Sequence, residues 1–326
     1  MKTTQHLSPS SPWGRVAISI IVVALLALWP LLAGEPRFIL HVAIMVTIYA
    51  ALAMSMNIML RIGQLSLAHG ALFGVGAYTS AILTRDYGWS FMAGFLAAGA
   101  VTALVAFITG PVFTRLKGVH FALLTFALGE AIVLCFIEFH ELFGGNNGFG
   151  QIPHASLGGL LPDTRYGSYL LTLSFAVLVY FLLQALYRRE WGLVADALQK
   201  NEALVTANGL EVLRFRVAFF ALSAGIAGCA GSLFAHYQGY ISPDAFGFWT
   251  AVNVIIMNVL GGIGALLGVV IAAAILIPLP ELLRDLQQYQ RLLYGATLIA
   301  LLLFMPQGLN GVFQRISKAF NPGKNP

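Results

Sequence analysis

Apolar residues fall along this chain in long, nearly uncharged runs. Runs of about 18 residues or more have the length a helix needs to cross a hydrocarbon core about 30 Å thick at about 1.5 Å rise per residue. Helix is the expected form, because lipid offers backbone amides and carbonyls no partner outside their own segment. The pattern predicts spans near residues 16–33, 38–60, 65–83, 90–113, 119–139, 168–187, 217–238, 248–260, 265–282 and 292–306, of which the eighth and tenth are short.

Composition agrees with the pattern. Of 326 residues, 59% are hydrophobic and 10% charged, against about 25% charged in an average soluble domain. The fold class expected is therefore an all-α polytopic membrane protein with about ten transmembrane helices. Its parts are a tail at 1–15, one transmembrane domain at 16–310 interrupted by a loop at 188–216, and a second tail at 311–326. The first apolar run exceeds the usual 7–15-residue core of a secretory signal, so it reads as a span rather than a cleaved leader.

Charge sets the orientation. With a cytoplasmic N-terminus and ten crossings, 13 of the 18 Lys and Arg residues fall on the cytoplasmic side and five (Arg37, Arg85, Arg165, Arg284 and Arg291) outside. This is the positive-inside asymmetry, and it places both termini in the cytoplasm. The net charge of +5 is thus a property of topology, and no nucleic-acid partner is expected.

Two loops are long enough to carry structure. The outer one, 141–167, holds Gly144-Gly145-Asn146-Asn147-Gly148-Phe149-Gly150, then Pro153 and Pro162; its turn residues suit a cap over the outer mouth or a partner contact. In the inner loop, 188–216, Leu193, Val194, Ala197, Leu198, Leu204 and Val205 share one helical stripe, and Asp196 stands four residues before Lys200. That pattern predicts an amphipathic helix that docks on protein. A helix lying on lipid headgroups is the alternative, which Asp196, Glu202 and Glu211 disfavour.

Glycine-rich stretches recur at corresponding places in the two halves, at 63–76 and 261–268. They suggest broken helices near a transport site. Five spans per half would give any internal repeat an inverted topology. The plainer explanation, close helix packing, fits Gly70, Gly74, Gly264 and Gly268, and best fits Ala224, Gly228 and Gly231.

Candidate chemistry is sparse. No Gly-x-x-x-x-Gly-Lys-Ser/Thr loop occurs, so ATP, if used, is bound elsewhere. The seven histidines are scattered, and Cys135 and Cys229 lie in separate spans, so neither a metal site nor a disulfide is implied. Glu130 is the acid near the middle of a span, where a charge is costly and commonly faces a bundle interior or water. A role in the pathway or its gating competes with a structural carboxyl bonded to a neighbouring helix. Asn57, Gln64, Ser66, His69, Asn253 and Asn258 could line a cavity or join helices.

The stretch Gly63-Gln64-Leu65-Ser66-Leu67-Ala68-His69-Gly70, followed by Phe73-Gly74-Val75-Gly76-Ala77-Tyr78-Thr79, resembles the signature of permeases of branched-chain amino acid ABC importers. Further similarities run through Phe121 to Glu130, Asn201-Glu202-Ala203 to Gly209, Ala235-His236-Tyr237, Ile241-Ser242-Pro243-Asp244, Gly261-Gly262-Ile263-Gly264 and Met305-Pro306-Gln307-Gly308-Leu309. Together they cover most of residues 40–310 and look like the LivM-type subunit.

The resemblance implies a heteromeric importer of the bacterial cytoplasmic (inner) membrane. Its partners would be a second, LivH-like permease, two ATP-binding subunits that hold ATP and Mg, and an external solute-binding protein, with no cofactor on this chain. It also implies that Asn201, Glu202, Ala203 and Gly209 belong to the helix that couples to the ATPase, although Leu204 stands where a strict pattern has alanine. Branched-chain amino acids are the substrates it favours; related permeases carry amides, urea and aromatic acids. Two other classes compete. One is an ion-coupled secondary transporter using Glu130, and the other a membrane enzyme or scaffold, against which the lack of a paired acid and base weighs.

Overall fold

The computed structural model describes residues 37–156 and 164–283, with five helical positions between 292 and 299. The expected span at 16–33, most of that at 292–306, and both tails lie outside the described residues. Among the described residues the regular structure is helical, apart from one isolated antiparallel bridge between Phe149 and Ile241.

In chain order the helices are α1 (Arg37–Arg61), α2 (His69–Arg85), α3 (Phe91–Phe113), α4 (Gly118–Glu138), α5 (His140–Phe143), α6 (Arg165–Arg188), α7 (Glu190–Lys200), α8 (Glu202–Ala207), α9 (Val212–Gln238), α10 (Phe248–Gly261), α11 (Leu266–Leu276) and α12 (Pro278–Leu282). Among the described residues six segments are long and apolar enough to cross a membrane: α1, α3, α4, α6, α9, and 243–261, which contains α10. Helices stand where eight of the ten expected spans were placed, but α2 has 17 residues and α11 has 11.

Helix ends follow local chemistry. Ser90 caps α3 by accepting from the Ala93 amide at 3.4 Å, and Thr164 caps α6 by accepting from Gly167 at 3.2 Å. Each satisfies an amide that the helix itself cannot. Pro111 lies in the last turn of α3, where its missing N–H gives up one helical hydrogen bond just before the helix ends at Phe113.

The hub is α9, which packs against α1, α2 and α3. Its small residues allow backbones to meet: a Cβ on Gly228 would strike the Thr102 hydroxyl and the Ala98 carbonyl, and one on Gly231 the Phe73 carbonyl. The packing explanation of these glycines therefore holds, and Gly70, Gly74 and Gly76 serve the same purpose against Gly247, Phe246 and Gly228. On the other side α1 meets α6, α10 and α11. An aromatic cluster of Phe73, Tyr78, Phe136, Phe234 and Phe246 fills the space around α2, with Tyr78 and Phe136 centroids 4.3 Å apart.

Helix breaks occur at residues 62–68 and 262–265, as the glycine pattern suggests. Gly63 (φ 76°), Gly262 (φ 99°) and Gly264 (φ 81°) take the left-handed conformations that these turns require. Within 63–76, however, only the first part is non-helical; from His69 the chain is helix and its glycines are contacts.

Polar contacts sort the molecule into two ends. At one, Arg61 pairs with Asp196, and Glu202 with Lys117 and Arg216. At the other, Arg85 lies over the Phe149 ring at 3.4 Å and donates to the Gly150 carbonyl. There His236 also bonds the Pro153 carbonyl at 2.6 Å, and Tyr240 donates to the Asn147 carbonyl. The 144–156 loop is thus pinned across the ends of α2 and α9, as a cap would be.

Candidate transport pathway and coupling helices

The break before α2 brings polar groups into the interior. Residues 62–68 leave the end of α1 as irregular chain, and Gln64, Ser66 and His69 are fully buried. The Gln64 amide donates to the Thr114 carbonyl at 3.2 Å. His69 bonds through Nε2 to the Ser223 hydroxyl at 2.9 Å, and Ser223 donates to the Ser55 carbonyl at 2.6 Å. Because that hydroxyl proton is committed to Ser55, His69 carries its proton on Nε2 and leaves Nδ1 as an acceptor.

Gln64 Oε1, Ser66 Oγ and His69 Nδ1 are three of the five buried side-chain polar atoms without a partner among the described residues. A folded chain seldom leaves such atoms empty, so their grouping within six residues marks a place where water or solute polar groups would be held.

Asn258 of α10 is placed differently. Its Oδ1 accepts from Asn57 of α1 at 2.8 Å, and its amide donates to the Ala53 and Val254 carbonyls, each at 2.9 Å. All of these bonds join helices or close on α10 itself. Glu130 is half-buried on α4, within the stretch that carries exposed Leu123, Phe126 and Leu134. It makes no hydrogen bond or ion pair with any described residue. Only 22% of the apolar window of α4 is buried, against 72% for α9, so among the six described spans α4 has the least cover from its own chain.

The inner loop folds as two helices, not one. Asn201 is extended (φ −156°) between α7 and α8, and its side-chain oxygen caps α8 by accepting from the Leu204 amide at 3.3 Å. The expected stripe is split as a result. Ala195, Leu198 and Val205 are buried against the rest of the chain, whereas Leu193 and Leu204 are 72% and 56% exposed and Ala203 is exposed.

Gly209 closes α8 at φ 76°, with the Leu210 amide on the Val205 carbonyl and the Gly209 amide on that of Thr206. This is a Schellman end, and the left-handed residue belongs to the glycine.

Both helices are held by ion pairs. Asp196 receives Arg61 Nε at 2.7 Å and Nη2 at 2.9 Å, in place of the expected pair with Lys200, whose charge adds a weaker attraction. The Arg61 hydrogen bonds hold the Asp196 carboxyl below the usual carboxylate range, against the opposing effect of burial. Glu202 meets Lys117 and, at 3.1 Å, Arg216, whose other amino group donates to the Thr114 carbonyl shared with Gln64. Burial raises the Glu202 carboxyl, and the two cations together outweigh it, leaving it low.

Lys117, Arg216, Arg61 and Tyr187 carry no sequence signal for these roles. Arg61 and Asp196 are 135 residues apart, and no local spacing links them. Among the described residues no group of three or more His, Cys, Asp or Glu side chains is arranged to hold a metal.

Comparison with known proteins accords with this architecture. The family profile described as the branched-chain amino acid transport system permease component matches residues 38–302. The chain is 32% identical to the high-affinity branched-chain amino acid permease LivM of Salmonella typhimurium, over 94% of this chain and 80% of that protein. It is also 32% identical to LivM of Escherichia coli, over 94% of this chain and 78% of that one. The high-affinity branched-chain amino acid transport system permease protein LivH of Escherichia coli is 25% identical over 77% of this chain and 86% of its own length. No solved structure matches. A profile match spanning most of the chain, on a bundle of apolar spans with a buried break at the 63–70 signature, makes this chain a member of the branched-chain amino acid transport permease family.

Proposed function

We propose that this chain is one of two permease subunits of an ATP-binding-cassette importer for branched-chain amino acids or related small amino-acid and amide solutes. In this role it forms half of the translocation pathway while partner subunits hydrolyse ATP bound with Mg. The observation that carries the proposal is the α7–α8 pair: two short helices lashed to α1, α9 and the α3–α4 connection by Asp196 and Glu202, with Ala203 and Leu204 turned outward. Such a pair can receive a push and pass it on without any nucleotide chemistry of its own. Asn201 and Gly209 set its two ends.

The pathway runs past the break before α2, where Gln64, Ser66 and His69 present unpartnered polar atoms. Glu130 faces the second, LivH-like permease across it. A carboxyl on the outer face of a span is costly against lipid, so another protein surface or water covers it. The end bearing Asp196 and Glu202 is cytoplasmic, the membrane is the bacterial inner membrane, and the pinned 144–156 loop meets an external solute-binding protein. Ten spans in two inverted halves fit the placement of the breaks before α2 and after α10.

Gly209→Val tests the coupling. A β-branched residue resists the left-handed region, so ATPase association should weaken or hydrolysis should continue without uptake, while membrane insertion persists. Normal uptake and normal substrate-stimulated hydrolysis in the purified assembly would sink the assignment.

A further inference from the structure

A continuous set of polar side chains leads from α7 into the middle of the bundle, and it uses residues that neither the signature nor the coupling motif includes. Asp196 of α7 grips Arg61 of α1 through two hydrogen bonds of 2.7 and 2.9 Å. The Arg61 guanidinium lies 4.1 Å from the ring centroid of Tyr187 on α6. The Tyr187 hydroxyl donates to Asn57 Oδ1 at 3.2 Å, and the Asn57 amide donates to Asn258 Oδ1 of α10 at 2.8 Å. Asn258 ends the chain on the Ala53 and Val254 carbonyls.

The direction of every bond is fixed. Turning the Asn258 amide over would put its oxygen against two carbonyls, and turning Asn57 would set its Oδ1 against the Asn258 Oδ1. A two-point guanidinium–carboxylate grip transmits orientation as well as position.

We propose that Arg61, Tyr187 and Asn57 are positioning residues that carry a displacement of α7 to α10 during the transport cycle. The proposal rests on the coupling role of α7–α8 stated above. Two features give the relay room and a target. A cleft of about 570 Å³ between α6 and the start of α11 is lined by Arg61, Tyr187, Gly264 and Ile271, so the two large side chains have space to shift. At its other end α10 begins against Gly70, where the Phe246 and Gly247 carbonyls leave no room for a Cβ. Movement of α10 therefore reaches the start of α2, where His69 follows the loop that holds Gln64 and Ser66.

The test is a double-mutant cycle on the assembled importer in vesicles, reading uptake per ATP hydrolysed beside retention of the ATPase subunits. Tyr187→Phe removes one oxygen and keeps the ring beneath Arg61, so it preserves the fold. Asp196→Ala releases the other end. Each should lower uptake per ATP about tenfold with the ATPase retained, and the double variant should also fall about tenfold, because either cut severs the same relay. Sites without shared partners add instead, so a fall of about a hundredfold, or no fall in the single variants, overturns the relay. Exchanging the partners, Arg61→Asp with Asp196→Arg, should recover a substantial part of the loss, and no recovery counts against it. If Gly209→Val behaves as wild type, the coupling reading fails and the relay with it. If Gly209→Val uncouples while the cycle adds, the relay alone fails.

Discussion

Replacing Glu202 by alanine is the perturbation whose cost the structure best defines. The Arg216 side chain is 6% exposed; one amino group meets Glu202 at 3.1 Å, the other the Thr114 carbonyl at 3.2 Å, and Nε has no partner among the described residues. Without Glu202 the guanidinium stays buried with one neutral acceptor. Breaking a fully buried pair costs about 3–5 kcal/mol; Glu202 is 28% exposed, and water entering in its place should reduce the cost to about 2 kcal/mol. Lys117 is 64% exposed, so Lys117→Ala should cost no more than about 0.5 kcal/mol. By the size dependence of unfolding entropy, each kcal/mol corresponds to roughly 2 °C in a chain of this length. Thermal unfolding of the assembled complex in nanodiscs should therefore fall by about 4 °C for Glu202→Ala and about 1 °C or less for Lys117→Ala. Adding Arg216→Met to Glu202→Ala should restore most of the loss, because the stranded charge is gone. Equal effects of the Lys117 and Glu202 substitutions, or a double variant less stable than Glu202→Ala alone, would refute the reasoning.

Glu130→Ala should reduce uptake about tenfold and leave the yield of assembled complex unchanged; wild-type uptake would return Glu130 to a packing role. Gly231→Leu should prevent recovery of folded protein, since its side chain would meet the Phe73 carbonyl, whereas Gly264→Ala, with open space but φ 81°, should cost about 1–2 kcal/mol in unfolding measurements. Asp196 and Glu202 have depressed carboxyl pKa values, so their stabilisation is complete above the ordinary carboxylate range near pH 4 and is lost as pH falls through the lower folded-state values. Amide exchange in α7 and α8, corrected for intrinsic rate, should stay constant from pH 7 to 5 and rise below about 4; a rise already between pH 7 and 6 would contradict the ion-pair account.

The sequence showed which residues are helical spans and little of how they are joined. Length and apolarity placed the helices now seen from Arg37 to Leu276, since the hydrocarbon thickness sets the span length. The ends were less legible: α2 starts at His69 and not at 65, because Gln64 and Ser66 are committed to irregular buried chain. The glycines split in meaning for a similar reason. Gly63 and Gly264 serve turns, while Gly70 and Gly74 serve contacts, and composition looks the same in both.

Amphipathic spacing located the inner loop and its glycine end but misjudged its apolar face. Periodicity reports which side chains are alike; it cannot say that Leu198 and Val205 turn inward while Leu193 and Leu204 turn out, because Asn201 breaks the helix between them. Asp196 likewise had Lys200 at helical spacing, yet bonds to Arg61, since a two-point guanidinium grip from a neighbouring helix outcompetes a flexible surface ammonium.

What the sequence determined by itself was local and solvent-driven: membrane class, helix positions, and the left-handed demand at Gly209. The tertiary structure alone decided the long-range matters, namely that Arg61 meets Asp196, that Asn57 meets Asn258 across 201 residues, and that Glu130 has no partner among the described residues. Hydrophobicity and turn preference act residue by residue and leave a trace in the order of the chain. Hydrogen bonds between distant helices depend on their relative rotation and depth, which come into being only when the bundle packs.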